Sequence, residues 1–300
     1  MFKKTVRTLT RSALKTTRRA RRYIRQLEEE PIAERDHDQD DIAYPWLNSV
    51  FTKILREGGG TLRSNYTWGV LHSAHLAKSI GINRVSVIEF GVAGGNGLVS
   101  LEKIAEKVEE ILGIGIDVYG FDTGIGLPKP DDYRDLPNLY VEGAYPMDHE
   151  KLRRHLKKAQ LILGSVESTV PTFINSNPSP VAFVSIDLDY YSSTMQAFQL
   201  FEADEGVLLP RIHCYFDDIL GFTCSEYNGE RLAISEFNAC HSTRKISPIY
   251  GLKHFLPESH ARAVWAEMFF LAHIFGHKLY GCSDGLVKRP FDGGTELAAN

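Results

Sequence analysis

The segment Val85-Ser-Val-Ile-Glu-Phe-Gly-Val-Ala-Gly-Gly-Asn-Gly97 constrains the fold more than any other part of the chain. It opens as a short apolar run rich in β-branched residues, which reads as a buried strand. Gly91, Gly94, Gly95 and Gly97 follow. Then Leu98, Leu101, Ile104, Ala105, Val108 and Ile111 recur at helical spacing through 97–112. Glycine lets a backbone approach a ligand closely, and a helix N-terminus offers unpaired N–H groups to it. Strand, glycine turn and helix together form the opening unit of an α/β sheet, where ligands sit at the carboxyl ends of strands. A dinucleotide turn competes, but its G-x-G-x-x-G spacing is not met, because Ser100 stands three residues after Gly97. A glycine-rich turn without a ligand is the plain alternative.

The remaining pattern fits the same class. Segments 46–56 and 66–80 read as helices ahead of the glycine turn. After it, strands at 118–121, 161–163, 181–186 and 206–216 alternate with helices at 149–158 and 193–201. Residues 238–300 should hold the last strands, with Trp265, Met268, Phe269, Phe270 and Phe275 on a core-facing helix. This alternation predicts a Rossmann-like α/β fold, a mostly parallel sheet flanked by helices.

Acids fall where these strands end. Asp122 closes the second strand, placed to accept hydrogen bonds from two ribose hydroxyls. Asp187 and Asp189 close the 181–186 strand and would share a face if it continued. Asp217 and Asp218 follow Tyr215-Phe216. Four acids at neighbouring strand ends repel one another unless something positive sits among them, and an all-oxygen set suits Mg2+, Ca2+ or Mn2+. Alternatively, Asp189 caps the helix near Ser192 while Asp217-Asp218 begin a turn. Histidines read as structural: His72 and His75 share a helix face without a carboxylate partner in sequence. Ser73 and Ser100 lack a nucleophile elbow, which argues against a hydrolase.

Charge is unevenly distributed. Of 34 Lys/Arg, ten lie in residues 1–26, which hold no acid, leaving 24 against 38 Asp/Glu in the remainder. The net charge of −4 argues against a nucleic-acid partner. Residues 1–40 read as a basic helical arm and an acidic linker, and 41–300 as one domain. The arm, 1–27, reads as a solvated extension, a membrane-surface or partner-binding helix, or a transit peptide. Four scattered cysteines (Cys214, Cys224, Cys240, Cys282) and the lack of an apolar run of spanning length predict a cytoplasmic protein. It could meet the inner membrane face through 1–27, and a homo-oligomer is compatible with this reading.

Five blocks in order carry a family resemblance: 89–97, Gly120-Phe-Asp-Thr-Gly-Ile-Gly-Leu-Pro128, Gly164-Ser-Val-Glu-Ser-Thr-Val-Pro171, Ile186-Asp-Leu-Asp-Tyr-Tyr-Ser-Ser-Thr194 and Phe216-Asp-Asp218, with 231–237 as a weaker echo. Over about 66–240 the chain resembles the macrocin O-methyltransferase family. These are metal-dependent class I enzymes that use S-adenosyl-L-methionine to methylate sugar hydroxyls. The resemblance implies a seven-stranded sheet and a saccharide or glycosylated acceptor. It implies a cofactor site of Glu89, Gly91, Ala93, Gly95, Gly97, Asp122, Gly164, Ser165, Val166 and Asp187, with 164–166 near the adenine. Asp187, Asp217 and Asp218 would hold Mg2+, and Asp189 would act as general base. Two departures stand on the substrate side: Leu188 replaces a small residue, and Thr123-Gly-Ile-Gly replaces a more typical Ser-Phe-Glu-Gly. A hydroxylase-like relative on the same fold, or a non-catalytic cofactor-binding scaffold, are the competing functions.

Overall fold

The computed structural model describes residues 45–282. The basic arm 1–27 and the linker 36–41 lie outside these residues. Two helices, α1 (Pro45–Glu57) and α2 (Ser64–Ser79), precede β1 (Arg84–Phe90). Every residue of β1 after Arg84 is buried, as a parallel strand covered on both faces requires. There follow α3 (Asn96–Leu112), β2 (Gly115–Asp122), α4 (His149–Arg153), β3 (Gln160–Leu163) and α5 (Val166–Asn175). Then come β4 (Val181–Ile186), α6 (Tyr191–Ala197), β5 (Leu208–Phe216), α7 (Gly229–Cys240), β6 (Arg244–Pro248) and β7 (Phe269–Ile274).

The seven strands form one sheet in the order β3-β2-β1-β4-β5-β7-β6. The pairs from β3 to β5 are parallel, and β7 runs antiparallel to both of its neighbours. This is the mostly parallel, Rossmann-like seven-stranded sheet that the sequence predicts. Its strand order reverses between β1 and β4, so the carboxyl ends of these two strands open a crevice. α2 packs flush on the sheet there: a Cβ at Gly69 would stand 2.3 Å from the ring of Phe183 in β4.

Three sequence expectations are corrected. The helix expected at 149–158 ends at Arg153, and the one expected at 193–201 tightens after Ala197 into a 3-10 turn, Phe198–Glu202. The aromatic segment 265–275 is not a helix but a 3-10 turn, Val264–Met268, followed by β7. Its phenylalanines serve opposite faces of the sheet, with Phe269 on Trp68 and Phe183 and Phe270 on Phe216. Period-2 packing and ladder bonds to β5 override the helical reading. Among the described residues, no helix is long and apolar enough to cross a membrane.

Candidate functional site

The turn after β1 can be made only by glycine at its first position. Gly91 has φ 82°, and a Cβ there would lie 1.8 Å from the main-chain oxygen of Asp187. Close passage of the β1 and β4 ends therefore depends on a missing side chain. Ala93, also left-handed at φ 44°, donates its N–H to Asp122 Oδ2 at 2.8 Å. Asp122 Oδ1 accepts from the Gly124 N–H at 2.6 Å. Both loops thus fix this carboxylate, and each oxygen keeps a lone pair for a ligand hydroxyl. Gly164 donates to the Asp122 carbonyl at 2.9 Å, and Ser165 caps α5 by accepting from Glu167 N–H at 3.3 Å.

Gly95 and Gly97 act one layer back. A Cβ at Gly95 would lie 2.3 Å from Leu152 Cδ1, and one at Gly97 only 1.7 Å from Glu89 Oε1. Glu89 is buried beneath the turn, where its Oε1 accepts from Tyr66 Oη at 2.6 Å and stands 3.9 Å from Arg63 Nη1. Its Oε2 has no hydrogen-bond partner. Burial, opposed by Tyr66 and Arg63, pushes the carboxyl up to about 7.

The acids after β4 and β5 converge. Asp187 N–H donates to the Phe90 carbonyl at 3.0 Å, and Asp217 N–H to the Ile186 carbonyl at 2.9 Å, which stitches adjacent strand ends together. Asp187, Asp217 and Asp218 each offer a carboxylate oxygen within 4.8 Å of the others. Burial, with Asp217, Asp218, Asp189 and Glu89 adding repulsion, pushes Asp187 up to about 9. Asp218 is held on three sides. Its Oδ1 accepts from Tyr140 Oη (2.8 Å), its Oδ2 accepts from Asp189 N–H (3.2 Å), and its own N–H donates to Glu230 Oε2 (3.0 Å).

Asp189 stands apart from this trio. β4 ends at Ile186, and Asp189 adopts φ 61°, so the shared face expected for Asp187 and Asp189 does not arise. Burial and Asp218 push it up to about 7, while a hydrogen bond from Tyr140 opposes the shift. Nor does Asp189 cap α6. That role falls to Asp135, whose two oxygens accept from Ser192 N–H at 2.8 Å and Ser192 Oγ at 2.9 Å.

A cavity of about 510 Å³ joins these parts. Gly91, Ala93, Asp122 and residues 164–166 line one end, and Asp187, Asp189, Asp217 and Asp218 the other. Segment 126–131 with Tyr140 and Tyr145 forms much of the remaining wall. Glu89, Gly95 and Gly97 lie behind the lining. Sequence reading missed Tyr140, Glu230, Tyr66 and Arg63. Tyr140 sits 78 residues from Asp218 in a segment without periodicity. Glu230 directly precedes the 231–237 echo, the one cue available. His72 stacks on Trp68 with ring centroids 4.1 Å apart, and His213 meets the same ring edge-on, as structural histidines do.

No protein-family model and no curated protein matches the sequence. Among solved structures the chain is similar to CalS11, a calicheamicin methyltransferase, at 18% identity over 74% of this chain and 96% of that one, with TM-score 0.46. It is similar to the O-methyltransferase NovP at 15% identity over 65% and 71%, with TM-score 0.41. The S-adenosylhomocysteine-bound Podospora anserina methyltransferase PaMTH1 is 11% identical over 86% and 95%, with TM-score 0.41.

Proposed function

We propose that this chain is an S-adenosyl-L-methionine-dependent O-methyltransferase acting on a hydroxyl of a saccharide or glycosylated acceptor. One observation carries the reading: a single cavity joins the Gly91–Ala93 turn and Asp122 to three converging carboxylates. In this reading Asp122, held by the Ala93 and Gly124 N–H groups, would accept from a nucleoside's two ribose hydroxyls, with 164–166 as the adjoining wall.

Asp187, Asp217 and Asp218 are the residues that would hold a divalent cation, and Mg2+ is among the ions an all-oxygen set suits. The donor chemistry fits. Burial and then the neighbouring acids raise the Asp187 carboxyl to about 9, and a cation among these oxygens would offset both effects. When bound, such an ion stabilises negative charge developing on an acceptor oxygen and orients that oxygen. When bound, S-adenosylmethionine supplies an electrophilic methyl group on a sulfonium sulfur.

Asp189 is the base in this reading. It lines the cavity beside the trio, and a carboxyl near 7 is matched to taking a proton at neutral pH. Asp189 would take the hydroxyl proton as the acceptor oxygen bonded to the methyl carbon, which S-adenosylmethionine would supply with cleavage of its carbon–sulfur bond. The products are a methyl ether and S-adenosylhomocysteine. Holding the two reactants in one cavity removes much of the entropic barrier.

The test is a methyl-transfer screen against polysaccharide, lipid-linked and secondary-metabolite sugars, run with Mg2+ and with chelator. Transfer to a sugar hydroxyl that chelator abolishes is the expected result. Undiminished transfer in chelator would remove the cation, and transfer to nitrogen or carbon acceptors alone would remove the O-methylation reading.

A further inference from the structure

One buried acid beside the carboxylate trio is left short of partners. Glu230 is completely buried in the first turn of α7. Its Oε2 accepts from the Asp218 N–H at 3.0 Å, while its Oε1 has no hydrogen-bond partner. The loop before the helix dictates this placement. Asn228, at the N-cap position, makes no side-chain cap and turns back on the loop instead. Its Oδ1 accepts from the Ser225 N–H at 2.8 Å, and its Nδ2 donates to the Thr223 carbonyl at 3.0 Å. Gly229 then takes φ 55°, a left-handed step that favours glycine. The self-tied loop and that step bring the start of α7 against the main chain of Asp218.

An acid in the first turn of a helix is ordinarily explained by the helix dipole. Contact with water makes that placement inexpensive, and Glu230 has none. A buried carboxylate needs hydrogen bonds on its oxygens or a positive charge nearby. Glu230 receives a single hydrogen bond, and the charges that bear on it are those of Asp218, Asp187 and Asp217. The trio itself supplies one oxygen apiece. An octahedral ion such as Mg2+ or Mn2+ takes six ligands and keeps waters in the remaining positions. Each such water donates hydrogen bonds and requires acceptors. Glu230 stands outside both the cavity lining and the trio, behind Asp218, so its free oxygen suits an outer contact rather than direct ligation.

We infer that Glu230 is a fourth, outer carboxylate of the cation site: one oxygen fixes the Asp218 main chain and the other accepts from a water on the bound ion. The inference rests on the cation reading proposed above, which assigns only the three inner acids.

Calorimetric titration of the full chain with Mn2+ tests it, with thermal unfolding in chelator and S-adenosylhomocysteine binding run alongside. Glutamine is the informative replacement. Its single oxygen is needed by the Asp218 N–H, so an NH2 group, which cannot accept, stands in place of Oε1. Glu230→Gln should weaken Mn2+ on the order of 10- to 100-fold, the usual effect of losing an outer partner, and leave S-adenosylhomocysteine affinity unchanged. Glu230→Asp keeps both oxygens and should recover part of the loss. Glu236→Gln alters the same helix where Tyr191 Oη donates to it, away from the trio, and should bind Mn2+ as wild type does. If the buried amide prevents folding, Glu230→Leu, which fills the position with apolar atoms, takes its place with the same loss expected. Mn2+ affinity equal to wild type in the folded variant would overturn the inference while leaving the three-acid site intact. A parallel fall in Mn2+ affinity, S-adenosylhomocysteine affinity and Tm would also overturn it, because Glu230 would then only support the fold. If wild type binds no Mn2+, the cation reading itself fails and the inference falls with it.

Discussion

Replacing Asp187 by asparagine should make the cation-free protein more stable. In the folded chain this carboxyl is pushed up from 3.8 to about 9, chiefly by burial and then by Asp217, Asp218 and Asp189. The sign follows from which state keeps the proton. Below 3.8 both folded and unfolded chains are protonated and the site costs nothing. Above it the unfolded chain releases the proton and the folded chain retains it, so the penalty grows with pH until about 9. At pH 7 roughly 3 units of that window have been crossed, which at about 1.36 kcal/mol per unit is about 4 kcal/mol. Asparagine is neutral at every pH and should recover about 2–4 kcal/mol of it, a gain visible as a rise of about 5–10 °C in Tm. The assay is thermal denaturation of both proteins in chelator at pH 7 and again at pH 4. Excess Mg2+ should then stabilise wild type and not the variant, narrowing or reversing the order. An Asp187→Asn protein no more stable than wild type at pH 7 in chelator would refute the charge argument. So would an equal gap at pH 4, which would point to packing.

Asp189→Asn should leave Mn2+ and S-adenosylhomocysteine affinities in place, read by calorimetry, while methyl transfer falls by roughly 10²–10⁴-fold from loss of the base. Rescue of that variant by excess metal would make Asp189 a ligand instead. Asp122→Ala should weaken S-adenosylhomocysteine by about 1–3 kcal/mol, and unchanged binding would remove Asp122 from the ribose. Gly91→Ala should lose Mg2+ binding, measured by titration, because the new Cβ must displace the Asp187 carbonyl that stands 1.8 Å away. His213 is buried and held down to about 3, so it stays neutral when folded but protonates below about 6.5 when unfolded. Stability should therefore be full above about 6.5 and fall by about 2 kcal/mol on going to pH 5. Urea titrations of His213→Leu should show a smaller loss over that interval.

The sheet was legible wherever one physical signal acted alone. β1 and β4 are short apolar runs bounded by polar residues, and α3 is a clean amphipathic stripe between Gly95 and Gly113. Reading failed where two signals competed. Residues 265–275 carry aromatic residues at spacings a helix also satisfies, and only the open edge of β5 decides for a strand. The site divides in the same way. Asp122, Asp187, Asp217 and Asp218 were visible because acids at the ends of apolar strands are costly and therefore informative. Tyr140 was invisible, because nothing local in 136–145 says that its hydroxyl reaches Asp218 across 78 residues. Asp135 was hidden for a related reason. A helix cap is ordinarily sought just before the helix, and this one is delivered from 57 residues upstream. The left-handed turn at Asp189 likewise carries no local cue, because aspartate enters that region more often than most residues but at only a small share of its positions.

The two ends of the sheet bear on how copies of this chain could assemble. At one end β3 is only four residues long. At the other, β6 is five residues long and closes on Pro248, which has no N–H to offer an incoming strand. Short or proline-ended borders are a recognised defence against sheet-to-sheet growth. The long, well-paired strands β1, β4 and β5 are all interior, so a second copy finds little exposed ladder to continue among the described residues. Among the described residues, helix faces and loops are therefore the surfaces that favour a dimer contact, and such a contact can be broken by surface substitution without unravelling the sheet.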